Sequence, residues 1–105
     1  MNPFDLGGMG GMLGMFQQRM EEMKRRSEAT VVSGSAAGGL VTVEVTCAYE
    51  CTNISIAPSA AEDPEMLEDL MRAAMNEALR KARETTKQNM GELAAGLPIP
   101  PGLLG

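Results

Sequence analysis

The 105-residue chain contains no histidine and no tryptophan, and its only aromatic side chains are Phe4, Phe16 and Tyr49. Without histidine it lacks the side chain that most often serves as general acid, general base or metal ligand near neutral pH. Tyr49 falls in a predicted turn, and the carboxylates sit mainly on helix faces rather than in an apolar pocket that would tune a pair for acid and base roles. No catalytic residue and no small-molecule substrate are therefore expected. Cys47 and Cys51 are separated by three residues, form no CxxC pair and have no histidine to join them, so neither a metal nor any other cofactor is expected. Two reduced thiols flanking a strand-to-strand turn is the plain reading, with a redox pair as the alternative. Long apolar runs are missing too, and the amino terminus carries Asp5 and no positive stretch, so neither export nor a membrane anchor is expected.

Excess positive charge is also absent. Nine basic and fourteen acidic residues give a net charge of −5, a weaker electrostatic footprint than nucleic-acid binders usually carry. The distribution is uneven, however. Five acids lie between Glu62 and Asp69, whereas residues 80 to 87 hold four bases and one acid, which leaves a local positive patch. The length predicts one domain with a small core, and ten methionines point to packing by flexible, adaptable side chains.

The segment from Glu62 to Glu92 organises the rest. Asp63 can cap a helix, Pro64 suits its first position, and Glu65, Glu68 and Asp69 place negative charge at the positive end of the helix dipole. Leu67, Leu70, Met71, Ala74, Met75, Ala78, Leu79 and Ala82 recur at three- and four-residue spacing and draw one apolar face. Arg80, Lys81, Arg83 and Lys87 then put cations near the negative end. Such a helix is roughly 40 Å long, more than one small domain can bury, which predicts a projecting arm or a second subunit. Asn76, inside the apolar run, is expected as a buried polar contact that fixes helix pairing.

Ahead of it, residues 1–11 are glycine-rich and predict a mobile lead-in, with a helix starting near Gly11. Met12, Leu13, Phe16, Met20 and Met23 make its apolar stripe, which is expected to pack on another helix. Val31 and Val32 change the period to that of a strand, followed by a small-residue turn. This glycine-rich turn is not a phosphate loop, because no Lys-Ser or Lys-Thr follows and the next element is another strand. From Leu40 to Cys47 the alternation places Val41, Val43, Val45 and Cys47 on one face and Thr42, Glu44 and Thr46 on the other. Ala48-Tyr49-Glu50 suits a hairpin connection, and Ile54 and Ile56 alternate with polar residues until Pro58.

The expected fold class is α+β, in the order α-β-β-β-α, with a three-stranded antiparallel meander and two long antiparallel helices lying side by side. Val41, Val43, Val45, Ile54, Ile56, Leu67, Leu70, Met71, Ala74 and Met75 are the candidates for helix packing or a dimer contact. A small sheet with two helices leaves apolar surface uncovered, which predicts a homodimer joined through the sheets or adjoining helix faces. The divisions expected are a lead-in at 1–11, a domain at 12–92, and a mobile tail at 93–105, where Gly96, Pro98, Pro100 and Pro101 stop the helix.

Several blocks in this order, Gly39-Leu40-Val41-Thr42-Val43, Ile54-Ser55-Ile56-Ala57-Pro58, Glu65-Met66-Leu67-Glu68-Asp69-Leu70, Ala73-Ala74-Met75-Asn76-Glu77-Ala78 and Pro100-Pro101-Gly102, resemble the YbaB/EbfC family of bacterial nucleoid-associated proteins. The similarity covers nearly the whole chain. It implies a tweezer-shaped homodimer with a β-sheet centre and helical arms, located in the cytoplasm at the nucleoid, that binds double-stranded DNA and alters its conformation. Carried onto this sequence, the DNA-contacting candidates are Arg19, Lys24, Arg25 and Arg26 on the first helix, and Arg80, Lys81, Arg83 and Lys87 on the last. They would act by neutralising phosphates, with Gln17, Gln18 and Gln88 available for hydrogen bonds. The bland alternative for each base is a solvated helix face with local pairs such as Glu22 with Arg26 or Glu77 with Lys81. A rival reading of the whole protein is an interaction module that holds a DNA recombination or repair protein through its Met-rich arms.

Overall fold

A computed structural model describes residues 9–95 of the chain. The expectations for residues 1–8 and 96–105, including a mobile lead-in and tail, lie outside the described residues. Within them the order is α1 (Met9–Ala29), β1 (Val31–Ala36), β2 (Val41–Thr46), β3 (Cys51–Ile56), a single-turn helix α2 (Pro58–Ala61) and α3 (Pro64–Ala95). The α+β class and the three-stranded antiparallel meander are as the sequence predicts, with strand order β1-β2-β3. The short α2, which inserts Ala60 into the core, is an addition.

Cross-strand register decides which side chains share a face. Val32, Gly34 and Ala36 of β1 stand opposite Val45, Val43 and Val41 of β2, and Val43 and Val41 stand opposite Ile54 and Ile56 of β3. All therefore point to one side of the sheet. A bulge between Glu44 and Val45 leaves Thr52 unpaired in β3, where its hydroxyl donates to the Glu44 carbonyl oxygen at 3.3 Å. Helix α3 lies over β1 and β2 and presents Ala74, Ala78 and Ala82, all fully buried, to Val41, Val43 and Val45. Leu67, Leu70, Met71 and Met75 flank this seam, half-buried. Asp63 caps α3 as predicted, its Oδ1 accepting from the Met66 N–H at 3.2 Å.

Ile54 and Ile56, expected in helix packing or a dimer contact, share the apolar face but are 42% and 38% exposed, because α3 does not reach across β3. Two expectations need correction. The two long helices do not lie side by side along their lengths. Helix α1 meets α3 only where Arg19, Met23 and Arg26 approach Asn89, Glu92 and Leu93, and its remaining stripe is uncovered, with Leu13 60% and Phe16 42% exposed. The reason is that α3 uses its apolar face on the sheet from Leu67 to Ala82 and has only its last turns left for α1. The result is an elongated protomer of 70 × 25 × 16 Å. Asn76 is exposed rather than buried, since it falls on the side of α3 opposite Ala74 and Ala78. On α3 the buried polar residue among those described is Asn89, 7% exposed, at the crossing with α1.

Helix ends also shift outward. Helix α1 begins at Met9, two residues before Gly11, and α3 runs through Gly91 to Ala95. Helix propensity lets one glycine be absorbed at a cost of about 1 kcal/mol.

The β2–β3 connection is built around Thr46. Its backbone N–H donates to the Glu50 carbonyl at 2.8 Å, and its side-chain oxygen accepts from the N–H groups of Ala48 and Glu50, both at 3.2 Å. These bonds hold Tyr49 at φ 65°, a left-handed conformation that is uncommon for a bulky residue. Cys47, buried, and Cys51, exposed, are both free thiols. The backbone of Cys47 ties three elements together: its N–H donates to the Thr30 carbonyl at 2.9 Å, and its carbonyl accepts from the Thr86 hydroxyl at 3.5 Å.

Candidate nucleic-acid interface

The eight basic candidates fall into three geometrical groups. On the outer side of α3, opposite the buried alanines, Arg80, Arg83 and Lys87 are exposed together. At 3.6 residues per turn, positions 72, 76, 80, 83 and 87 fall within an arc of about 80°, so Arg72 and Asn76 extend the same row. Its length is about 22 Å, roughly two thirds of a turn of duplex DNA. Arg72 was not among the sequence candidates. The signal that could have found it is its place at the head of the series 72, 76, 80, 83, 87, which has helical spacing throughout.

Within this row the guanidinium of Arg72 lies 3.1 Å from Asp69 and that of Arg80 lies 3.4 Å from Glu84, both solvent-exposed pairs one turn apart. Such pairs are worth little in water, so they yield readily to a phosphate. Arg83 and Lys87 pair with no carboxylate among the described residues.

Lys81 forms a second group by itself. It turns toward the sheet, with Nζ 3.1 Å from Glu77 Oε1, the local pair that the sequence suggested. Glu77 is held below the usual carboxylate range first by the hydrogen bond from Lys81, against the opposing effect of partial burial. The charge of Lys81, the Ser35 backbone N–H and the charge of Arg80 add to the lowering. Lys81 thus stands off the outer row, paired with Glu77.

The third group lies on α1. Arg19 and Arg26 face α3 across a shallow pocket of about 200 Å³, together with Glu22, Met23, Asn89, Glu92 and Leu93. Arg26 bonds Glu92 at 3.1 Å and not Glu22. Lys24 and Arg25 are exposed elsewhere on the helix. The acids Glu62, Asp63, Glu65, Glu68 and Asp69 cluster at the start of α3, about 27 Å along the helix from Arg83 when measured from Glu65. Charge separation along one rigid helix preserves a positive face on a molecule whose net charge is −5.

A model of the YbaB/EbfC DNA-binding family matches residues 1–97. A nucleoid-associated protein of Bordetella avium is 46% identical over 101 residues, covering 92% of this chain and 94% of the relative. The crystal structure of an uncharacterised protein from Helicobacter pylori matches with a TM-score of 0.75 at 21% identity, covering 82% of this chain and 92% of that one, a likeness of fold.

Proposed function

The chain belongs to the YbaB/EbfC DNA-binding family, and from that premise we propose that it binds double-stranded DNA as a homodimer, chiefly through the phosphate backbone, and alters the conformation of the duplex. The observation that carries this reading is the row of Arg72, Arg80, Arg83 and Lys87 on the outer face of α3, with its exposed and weakly paired cations. Phosphate contacts of this kind release counterions and carry no sequence information, which suits nucleoid organisation and broad effects on gene expression. On this reading the protein is cytoplasmic and lies at the nucleoid.

The homodimer is supported by the uncovered flank of the sheet. Ile54 and Ile56 continue the buried face of Val41 and Val43 beyond the reach of α3, and the outer edge of β3 is unpaired among the described residues. A second copy placed against β3 covers both and supplies core that a single small sheet lacks. Two-fold symmetry then doubles the α3 row.

A second reading, a module that holds a DNA recombination or repair protein with DNA contact secondary, is favoured by the exposed methionines of α1, Met12, Met15 and Met20. Titration of a labelled duplex followed by fluorescence anisotropy separates the two. Saturable binding that weakens as salt rises supports the DNA reading. A folded protein with no saturable binding at low salt turns the search to a protein partner.

A further inference from the structure

The apolar stripe of α1 is left open by the described residues of the protomer. Met12, Leu13, Phe16 and Met20 are 54%, 60%, 42% and 40% exposed, and only the Met23 end of the stripe is covered, by the last turns of α3. The helix that bears it is intrinsically weak, with Gly10, Gly11 and Gly14 in its first six residues. Each such glycine costs a helix about 1 kcal/mol relative to alanine. At Gly11 and Gly14 a Cβ would meet nothing within 4 Å, so no close approach inside the protomer accounts for them. A helix of this composition persists through packing of its apolar face.

Positions along the helix pair about Phe16, with methionine four residues to either side. Three and four residues before it stand Leu13 and Met12, and three and four after it stand Arg19 and Met20. Two copies crossing antiparallel at Phe16 thus place Met20 against Met12 and the aliphatic stem of Arg19 against Leu13, each contact made twice, as a two-fold interface requires. Residues 9–18 carry no charged side chain, so Glu21 and Glu22 of one copy come opposite Gly11 and Gly10 of the other and no like charges meet.

We propose that the exposed face of α1 is a self-association surface, on which α1 of a second copy of this chain packs antiparallel about Phe16. It is distinct from the β3 flank. Helix α1 leads into β1, at one edge of the sheet, whereas Ile54 and Ile56 lie on β3 at the other. Given the sheet-mediated dimer proposed above, on which this consequence rests, two different two-fold surfaces per protomer link dimers into larger assemblies. The contact is small and belongs with the weak, concentration-dependent interfaces below about 1,200 Å².

Light scattering coupled to size-exclusion chromatography over a concentration series tests this, on the full chain and its Phe16→Glu variant. The expected result is a wild-type mass that climbs above two protomers with concentration, and a variant of unchanged helicity fixed at two. A variant that falls to one protomer still supports pairing through α1 and instead removes the sheet-mediated dimer. Phe16→Cys in a Cys51→Ser background supplies an independent readout, a disulfide joining residue 16 of two copies on mild oxidation. A wild type that holds at two protomers throughout, with no such crosslink, overturns the proposal. So does association that appears only when residues 96–105 are removed, since the stripe is then covered by the chain's own tail.

Discussion

Gly34 of β1 and Ala78 of α3 are so close that a Cβ on the glycine would come 3.0 Å from the Ala78 Cα, and nearer still to the Ala74 carbonyl oxygen and the Ala78 nitrogen. Backbone meets backbone here, so no side chain can swing aside. Gly34→Ala must push α3 off the sheet, and overpacking of this kind costs about 2 kcal/mol or more. Thermal unfolding checks it, with a drop of roughly 8 °C or more expected for a domain of this size. Ala substituted at Gly11, which faces open space, serves as the control and leaves stability unchanged or raised.

Ile54→Glu is expected to leave the protomer folded and abolish the sheet-mediated dimer. The side chain is 42% exposed in the protomer, so the charge stays hydrated there, and it becomes buried only when a second copy covers β3. Sedimentation velocity reads the loss, with circular dichroism showing the native helix and sheet content retained.

Glu77 predicts an acid limb in the stability profile. Its folded pKa is depressed by Lys81, Ser35 and Arg80, so its contribution is present above the unfolded carboxylate pKa and is lost as pH falls through the lower folded value. Glu77→Gln is therefore less stable than wild type at neutral pH, and the difference closes in acid below the usual carboxylate range. Melting temperatures of the two proteins across a pH series test this. A difference that stays constant into strong acid would show that the Lys81 and Ser35 contacts contribute nothing through charge.

Asp63→Ala removes the side-chain acceptor for the Met66 N–H at the start of α3. A cost of about 1 kcal/mol is expected, with Asp63→Asn close to wild type because the amide oxygen can take the same bond. Urea denaturation of the three proteins gives the comparison.

Much of this architecture was legible in the sequence because it rests on periodicity. Val41, Val43 and Val45 alternate, Leu67 to Ala82 repeat with helical spacing, and both elements bury the faces so predicted. What periodicity cannot give is which partner covers a face. The stripe of α1 was expected on α3, but the same alanines that mark the face of α3 are consumed by β1 and β2, and Gly34 permits that close approach. Likewise Ile54 has the alternation of a core strand yet stands uncovered, because one helix spans two strands and not three. At the candidate site the bases of α3 were legible as a cluster by counting. Their division into an outer row and the inward Lys81 needed the angle about the helix, and that angle also brings in Arg72. The link between Arg26 and Glu92 spans 66 residues and leaves no local trace in the sequence.

The most direct test of DNA binding through the outer row of α3 is the slope of log affinity against log salt concentration for a short duplex. It should be compared between wild type, an Arg72/Arg80/Arg83/Lys87 to Ala variant, and Lys81→Ala. A phosphate-neutralising row predicts a steep wild-type slope that flattens in the four-site variant by about 0.9 for each phosphate no longer neutralised. Lys81→Ala should stay near wild type, because Lys81 lies off the outer row, beside Glu77. Equal slopes in wild type and the four-site variant, both proteins remaining folded dimers, would contradict binding through this face.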